Sequence, residues 1–258
     1  MVKLFADDTK VYNTIYSVSD CEDLQQDLNS LGSWSNTWKL NFNADKCVVL
    51  KVREKEDYVY TLNGVQLKQV KQQKDLGILI SDDLSPGVHI QNIINKANQR
   101  VGLVKRCFTG LDNKIEILYK TLIRPVLEYG ANVWSPWHKK DQQALDSVQR
   151  RCLRLSSKEI KLDSLDKRRM FSDMCETYKF LHGLYKISPE KFFSHPNRNL
   201  RGHSLKLAKK YTRSDTFKYF FSNRVVDKWN DLPEYVVSAP SLTSFKKRLR
   251  SLPSWPEG

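Results

Sequence analysis

The 258-residue sequence predicts an α+β fold, with short strands and one helix in its first third and mainly helices after it. Two observations support this. The spacing of apolar residues changes from strand-like alternation to a helical period at SDDLSPGVH, residues 81–89. The charge changes at the same place: residues 1–88 have 10 basic and 13 acidic side chains, whereas residues 89–258 have 33 and 16. The helical part therefore has a net charge of +17, which is typical of proteins that contact a polyanion such as nucleic acid.

The composition excludes several classes of protein. No stretch approaches the ~18 apolar residues of a membrane span, and the amino terminus has no basic, apolar and small-residue segments of a secretory signal. We therefore expect a nuclear or cytoplasmic protein that is neither secreted nor bound in a membrane. The five cysteines are widely spaced and include no C-x-x-C pair, so we expect reduced, mostly buried thiols.

The first elements are a hairpin and a helix. VKLF and KVYNTIY alternate like strands around the turn ADDT, which predicts a β-hairpin over residues 2–16. A helix follows, with Ser19 or Asp20 as its N-cap. Helical spacing predicts that its inward face is formed by Leu24, Leu28, Leu31, Trp34 or Ser35, and Trp38.

Three further strand segments complete the first third. CVVLKV is predicted to be a strand that follows the turn NADK. YVYTLNGVQLKQV predicts a hairpin around Asn63-Gly64, the pair that type I′ turns prefer. KDLGILIS predicts one more short strand.

The helical part begins with three amphipathic segments. The first has an apolar stripe at Ile90, Ile93, Ile94, Ala97, Val101, Val104 and Phe108. The second starts near Asp112 with Ile115, Leu118, Leu122 and Ile123 inward, and Pro125 interrupts or restarts it. The third, KKDQQALDSVQRRCLRL, places Leu145, Val148, Cys152 and Leu155 inward.

Further helix candidates are RRMFSDMCETYKFLHGLYK and DTFKYFFSNRVVDKWNDLP. The second contains large apolar side chains that either pack in a helical core or present an apolar patch to a partner: Phe217, Phe220, Phe221, Trp229 and Leu232. Large aromatic residues at helical spacing are more often core, which favours the first alternative.

The turn ADDT contains two adjacent carboxylates. Mg²⁺ prefers such oxygen ligands, and phosphoryl transfer uses pairs of metal ions held by carboxylates. On a strand, neighbouring side chains alternate, so Asp7 would face the metal ions and Asp8 would point away from them. Asp pairs are common in turns, so the pair alone does not define a catalytic site.

Several ordered segments carry a family resemblance. KLFADDTKVY resembles the F/Y-A-D-D box of reverse transcriptases from non-LTR (LINE-type, jockey- or CR1-like) retrotransposons. LNFNADKCVVL resembles the next box of that family, with Asn43 and Lys46 matching and Cys47 where Thr or Ser is common. KQQKDLGILIS resembles the K-Y-L-G box, with Asp75 in the aromatic position. LYKTLIRPVLEYGANVWSP and the later segments LDSVQRRCLRL, FFSNRVVDKWNDLP and SLTSFKKRL are similar to the region that follows the polymerase in these elements.

The resemblance implies a domain order. Residues 1–57 would be the end of a residual polymerase palm, made of β-hairpins and one helix, and residues 58–88 a primer-grip-like hairpin. Residues 89–155 would form a helical thumb and residues 156–258 a helical, basic C-terminal region.

The resemblance also implies site residues and partners. Asp7 and Asp8 would be the catalytic, Mg²⁺-binding pair, and Lys46 would lie near the triphosphate of the incoming dNTP, where a cation can stabilise the leaving group. Leu76 and Gly77 would support the end of the DNA primer on its RNA template. Gly77 could equally mark a simple β-bulge.

The same resemblance predicts a deficit. In these polymerases the fingers and the palm strand with a third metal-binding aspartate precede the F-A-D-D box, and here only Met1–Leu4 stand before it. We therefore expect a C-terminal fragment of an RNA-directed DNA polymerase that is inactive alone. The alternative is a non-catalytic nucleic-acid-binding module whose cations contact phosphates. These candidates are Lys96, Arg100, Lys105, Arg106, Arg150, Arg151 and Arg154.

Overall fold

A computed structural model describes residues 1–53, 57–196 and 201–252 and divides the chain into two compact units. The N-terminal unit is Met1–Ser85 and the C-terminal unit is Pro86–Gly258. Small sheets and many helices confirm the α+β class. Among the described residues, no helix combines the length and the apolar composition needed to cross a bilayer.

The strands of the N-terminal unit pair two by two. Their bounds are β1 Val2–Phe5, β2 Asp8–Val11, β3 Val48–Leu50, β4 Thr61–Leu62, β5 Val65–Gln66, β6 Lys68–Val70, β7 Gln72–Asp75 and β8 Ile78–Ser81. Antiparallel pairs form between β1 and β2, β4 and β5, and β7 and β8, whereas β3 and β6 are parallel. The first hairpin is thus confirmed, but its second strand runs from Asp8 to Val11 instead of over residues 10–16, so the turn is tighter and the strand shorter than predicted.

A predicted hairpin and a predicted strand of the N-terminal unit have different outcomes. Asn63 and Gly64 have φ of 52° and 78°, as a type I′ turn requires, so the hairpin of β4 and β5 is confirmed. The single strand predicted for KDLGILIS is wrong, because the chain reverses at Leu76 and Gly77, where φ is 44° and 88°. Glycine adopts this left-handed conformation without the steric cost of a Cβ atom, which the simple alternation of residues does not reveal.

Helix α1 spans Val18–Trp38, and its N-cap is Ser17 rather than Ser19 or Asp20. Asp20 occupies the third helical position. Its carboxylate accepts hydrogen bonds from the backbone N–H of Tyr16, at 2.9 Å, and of Ser17, at 2.8 Å. These bonds, led by that from Tyr16, lower the pKa of Asp20. The acidic residue thus satisfies N–H groups that precede the helix instead of capping it from outside.

The fully buried residues of α1 are small, namely Cys21, Gly32 and Ser35, and the predicted Leu24 and Leu28 pack partly buried against the same core. Trp34 and Trp38 are exposed by 47% and 65%, so Ser35 was the correct alternative to Trp34 and the prediction for Trp38 was wrong. The reason is close packing against β4. The side chain of Gln25 binds both the N–H and the C=O of Thr61, at 2.8 and 2.9 Å. Small side chains permit this approach.

The C-terminal unit is helical in its described residues. Its helices are α2 Gly87–Cys107, α3 Ile115–Leu118, α4 Arg124–Glu128, α5 Ala131–Trp134, α6 Lys139–Leu153, α7 Leu165–Leu181, α8 Asp215–Lys218, α9 Phe221–Arg224, α10 Val226–Asn230, α11 Glu234–Val237 and α12 Leu242–Arg250. The predicted stripe of α2 is buried from Ile90 to Val104, but Phe108 lies beyond the helix and is 38% exposed.

Pro125 lies where the second helical segment restarts, which confirms the second of the two predicted alternatives. A π-helical turn at Tyr119–Ile123 joins α3 to α4, and Pro125 lies in the first turn of α4. The wider turn accommodates a residue that lacks an N–H and whose ring would collide with a preceding carbonyl. It also changes which side chains face inward: Tyr119 and Ile123 are buried, whereas Leu122, predicted to be inward, is 38% exposed.

The segment DTFKYFFSNRVVDKWNDLP forms three short helices, α8, α9 and α10, instead of one. Phe221, Trp229 and Leu232 are buried in a core shared with α7 and α12, which confirms the core alternative for these three. Phe217 and Phe220 are 46% and 43% exposed, so that alternative was wrong for them. The break between α8 and α9 turns these two rings away from the core.

Candidate functional site

The two aspartates lie at the tip of the hairpin of β1 and β2. Asp7 is in the turn after Ala6, whose φ is 51°, and Asp8 is the first residue of β2, opposite Phe5. Both side chains are exposed. The hairpin therefore presents two adjacent carboxylates to solvent.

Asp7 and Asp8 are the metal-ligand candidates of this hairpin. Within the described ranges, no three or more His, Cys, Asp or Glu side chains come together as metal ligands. Two-metal phosphoryl transfer needs carboxylates that bridge both ions. The described residues alone do not fit a magnesium site of that kind.

Lys46 lies apart in a turn of its own. It ends the 3-10 turn Ala44–Lys46, whose first residue is preceded by Asn43, and the side chain of Asn43 accepts a hydrogen bond from the N–H of Asp45 at 3.1 Å. The Lys46 side chain is exposed. Asn43 thus fixes the backbone that presents the lysine.

A side-chain contact connects the β1–β2 hairpin with the β7–β8 hairpin. Lys10 on β2 donates to the carboxylate of Asp75, the last residue of β7. Asp75 precedes Leu76 and Gly77, which form the exposed turn to β8. The acidic hairpin and the turn predicted to support a primer are therefore connected by an ion pair. The sequence signal for this ion pair was Asp75, which stands in the aromatic position of the K-Y-L-G-like box.

The predicted cations of the C-terminal unit are exposed on two packed helices. Helices α2 and α6 contact each other. Lys96, Arg100, Lys105 and Arg106 lie on α2, Arg150 and Arg151 lie on α6, and Arg154 follows it; all seven are exposed. We call these seven residues the basic face.

Two arginines of the basic face bind within the unit. Arg151 donates to the side-chain oxygen of Asn98 on α2, at 2.8 Å, and Arg100 donates to the carbonyl of Leu122, at 2.5 Å. Both bonds leave other guanidinium N–H groups for additional acceptors, since arginine has five donors. These bonds position the side chains and leave the face cationic.

The sequence did not predict a buried charged cluster on α7. Leu165, Arg169, Asp173 and Thr177 are four residues apart and all buried, so two charged residues lie on the inward face. Burial raises the pKa of Asp173 and lowers that of Arg169. The sequence signal for this cluster was that charged residues occupy inward positions of an amphipathic helix.

The chain is similar to polymerases of mobile elements. It shares 27% identity over 166 residues with a probable RNA-directed DNA polymerase from transposon BS of Drosophila melanogaster. It is also similar to the RNA-directed DNA polymerase from mobile element jockey of the same organism, with 28% identity over 162 residues. These similarities confirm the resemblance to reverse transcriptases of jockey-like mobile elements.

These matches cover only part of this chain and only a small part of each relative. Each covers 60% of this chain and 18% of the relative. The chain thus matches less than a fifth of the length of these relatives. No family model matches the sequence, and no solved structure matches the fold.

Proposed function

We propose that this chain is the C-terminal part of the RNA-directed DNA polymerase of a mobile element and that it holds the template–primer duplex. The observation that carries the proposal is the basic face on the packed helices α2 and α6. The similarity to two mobile-element polymerases supports it. In this assignment, residues 1–57 are the end of the palm, 58–88 a primer-grip-like hairpin, 89–155 the thumb and 156–258 a basic C-terminal region.

The basic face suits a duplex because its residues are long, exposed cations on two rigid elements. Contacts to phosphates position a protein on a duplex without reading its sequence. Each neutralised phosphate releases counterions, so the affinity falls steeply as the salt concentration rises. We therefore expect binding to an RNA–DNA hybrid with little dependence on sequence.

A salt titration tests the basic face. The full chain is titrated against a fluorescent RNA–DNA hybrid from 50 to 200 mM NaCl, beside a triple variant in which Lys96, Arg150 and Arg154 become Gln. We expect the variant to bind more weakly at every salt concentration, with a slope of log K against log salt that is smaller by about one per lost contact.

The matched control changes three equally exposed lysines outside α2 and α6, Lys186, Lys191 and Lys247, to Gln. It removes the same charge from the same unit. Equal weakening of both triple variants, or an affinity of the unaltered chain that does not change with salt, would contradict a specific role of the basic face.

For the chemistry, we propose that Asp7 and Asp8 are the metal-binding carboxylates that this chain contributes to the polymerase, and that Lys46 contributes positive charge near the triphosphate of the dNTP. Leu76 and Gly77 support the primer end, and the Lys10–Asp75 ion pair fixes their hairpin relative to the two aspartates. Two carboxylates alone bind Mg²⁺ weakly, because the number and charge of the ligands set the affinity.

A primer-extension assay tests the proposal about catalysis separately from the proposal about duplex binding. Purified chain is incubated with a primed RNA template, the four dNTPs and MgCl2, with a complete reverse transcriptase as positive control. We expect no extension by this chain alone. Processive extension that is lost in Asp7→Asn would show that the chain is a complete enzyme. Absent extension together with salt-dependent binding is the outcome expected of a part that holds the duplex without catalysing extension by itself.

A further inference from the structure

A cleft of about 200 Å³ in the C-terminal unit lies outside the basic face. Its walls come from α7, from the segment before α6 and from the end of α9 with its neighbours. The residues that matter for its chemistry are Trp137, Arg169, Tyr219 and Lys228, together with the Asp173–Arg224 pair. Cations and aromatic rings thus line one concave surface.

Arg169 supplies unused donors in the cleft. The residue is 3% exposed, and its Nε and Nη1 groups have no hydrogen-bond partner among the described residues. Its Nη2 group approaches the carboxylate of Asp166 at 3.5 Å. Leaving buried donors of a charged group without acceptors is costly. An acceptor in the cleft would remove that cost.

Asp166 and Asp173 line the cleft, and the charges of Asp166 and Asp146 both act on Arg169. Asp173 is bound by Arg224 and by the side-chain amide of Asn132, all at 2.8–2.9 Å. Asp166 is more than half exposed to solvent. Lys228 at the rim is exposed and adds a further cation. Lys228 is therefore the accessible positive charge that the cleft lining offers to an anionic oxygen ligand.

Aromatic rings stand beside these cations. The rings of Trp137 and Tyr219 stack with centroids 5.6 Å apart and an angle of 7°, and Lys218 lies 5.2 Å from the centre of the Tyr219 ring. Next along the chain, the half-exposed rings of Phe217 and Phe220 stack at 6.2 Å. Partly exposed rings interleaved with lysine are typical of surfaces on which unpaired bases stack.

From this combination we propose that the cleft binds single-stranded nucleic acid, with a base on the Trp137–Tyr219 stack and a backbone phosphate at Arg169 and Lys228. A paired base within a duplex has both faces covered by its neighbours, so the aromatic rings select a single strand. The site is separate from the basic face that we assign to the duplex, and its test can fail independently of that assignment.

The test uses the full chain and fluorescein-labelled 12-nucleotide oligouridine and oligothymidine, with binding measured by fluorescence anisotropy in 50 mM NaCl. In Trp137→Ala we expect about 5- to 100-fold weaker binding of the single strand, the usual cost of one lost base stack. Trp137→Phe retains an aromatic face and should bind within about threefold of the unaltered chain. The two oligonucleotides distinguish RNA from DNA as the preferred strand.

Two controls separate this site from the duplex site. Trp38→Ala removes an equally large, exposed tryptophan from the N-terminal unit and should leave single-strand affinity unchanged. Binding of the RNA–DNA hybrid should persist in Trp137→Ala. Single-strand binding that is the same in Trp137→Ala as in the unaltered chain would overturn the cleft proposal while leaving the duplex proposal standing.

A second readout covers the case in which Trp137→Ala unfolds. The unaltered chain is crosslinked by ultraviolet light to a 4-thiouridine oligonucleotide, and the crosslinked peptides are identified by mass spectrometry. We expect crosslinks at Trp137, Tyr219 or Phe220. Crosslinks confined to the basic face would overturn the proposal.

Discussion

The guanidinium of Arg224 binds the carboxylate of Asp173 through two parallel hydrogen bonds, Nε to Oδ2 and Nη2 to Oδ1, each of 2.9 Å. The two side chains are only 14% and 10% exposed. Arg224 also donates to the carbonyls of Asn132 and Tyr219, at 2.8 and 3.1 Å. One arginine thus ties α7, α9 and the segment around α5 together.

Breaking this pair should destabilise the C-terminal unit. Asp173→Asn keeps the shape but leaves the buried Arg224 without its counter-charge, and we expect a loss of about 3–5 kcal/mol in the free energy of unfolding. Urea denaturation followed by far-ultraviolet circular dichroism measures it. The double variant Asp173→Asn/Arg224→Gln should lose less than the sum of the two single variants. Strict additivity would contradict a coupled pair.

The stability of the C-terminal unit should fall in mild acid because of His89. The side chain is 3% exposed, and burial, assisted by the charge of Lys96, lowers its pKa to about 4. Above pH 6.5 the histidine is neutral in both the folded and the unfolded chain. Between pH 6.5 and 4 only the unfolded chain takes up the proton, so unfolding becomes easier by about 3 kcal/mol over that range.

Comparison with His89→Phe isolates this contribution. The variant should show a shallower loss of stability between pH 6.5 and 4 in parallel urea titrations. A residual slope is expected from His203, whose pKa is also lowered, mainly by burial. Identical pH profiles of the unaltered chain and the variant would show that His89 is protonated alike in both states.

Gly32 leaves room for the Asn63 side chain where α1 contacts the β4–β5 hairpin. A Cβ atom at this buried position would lie 2.4 Å from Oδ1 of Asn63. Alanine is the better helix former by about 1 kcal/mol. Whether Gly32→Ala raises or lowers the free energy of unfolding therefore depends on the contact with Asn63. We expect destabilisation in the unaltered background and stabilisation by up to about 1 kcal/mol in Asn63→Gly, which keeps a suitable turn residue. Hydrogen exchange of the α1 amides measures both.

Thiol labelling should distinguish the cysteines by burial. Cys107 is exposed at the end of α2, whereas Cys152 and Cys175 are buried and their pKa is raised to about 11 by burial. Only thiolates react rapidly, so an aromatic disulfide reagent at pH 8 should modify Cys107 quickly and these two very slowly. Cys107→Ser should remove the fast phase. Since Cys47 is half-buried and can react as well, the labelled peptides are identified by mass spectrometry. Rapid labelling of Cys152 or Cys175 would contradict their burial.

Local sequence determined several elements of this protein by itself. The period of apolar residues predicted α2 and α6, since an amphipathic stripe has one way to be buried, and Asn63-Gly64 predicted its hairpin through the positive φ that the turn needs. The ordered boxes around Asp7, Lys46 and Gly77 predicted similarity to mobile-element reverse transcriptases, which two relatives confirm. These features depend on neighbours along the chain.

Tertiary contacts determined the inward face of α1 and the long-range ion pairs. The inward face of α1 passes through Gly32 and Ser35 rather than Trp34, because β4 packs closely on that face. The Lys10–Asp75 and Asp173–Arg224 pairs join residues 65 and 51 positions apart. Neither helical nor strand periodicity specifies which distant segment supplies the partner of either pair. The Asp173–Arg224 pair forms only when the fold brings both side chains into the interior together, because either charge alone would be costly to bury there.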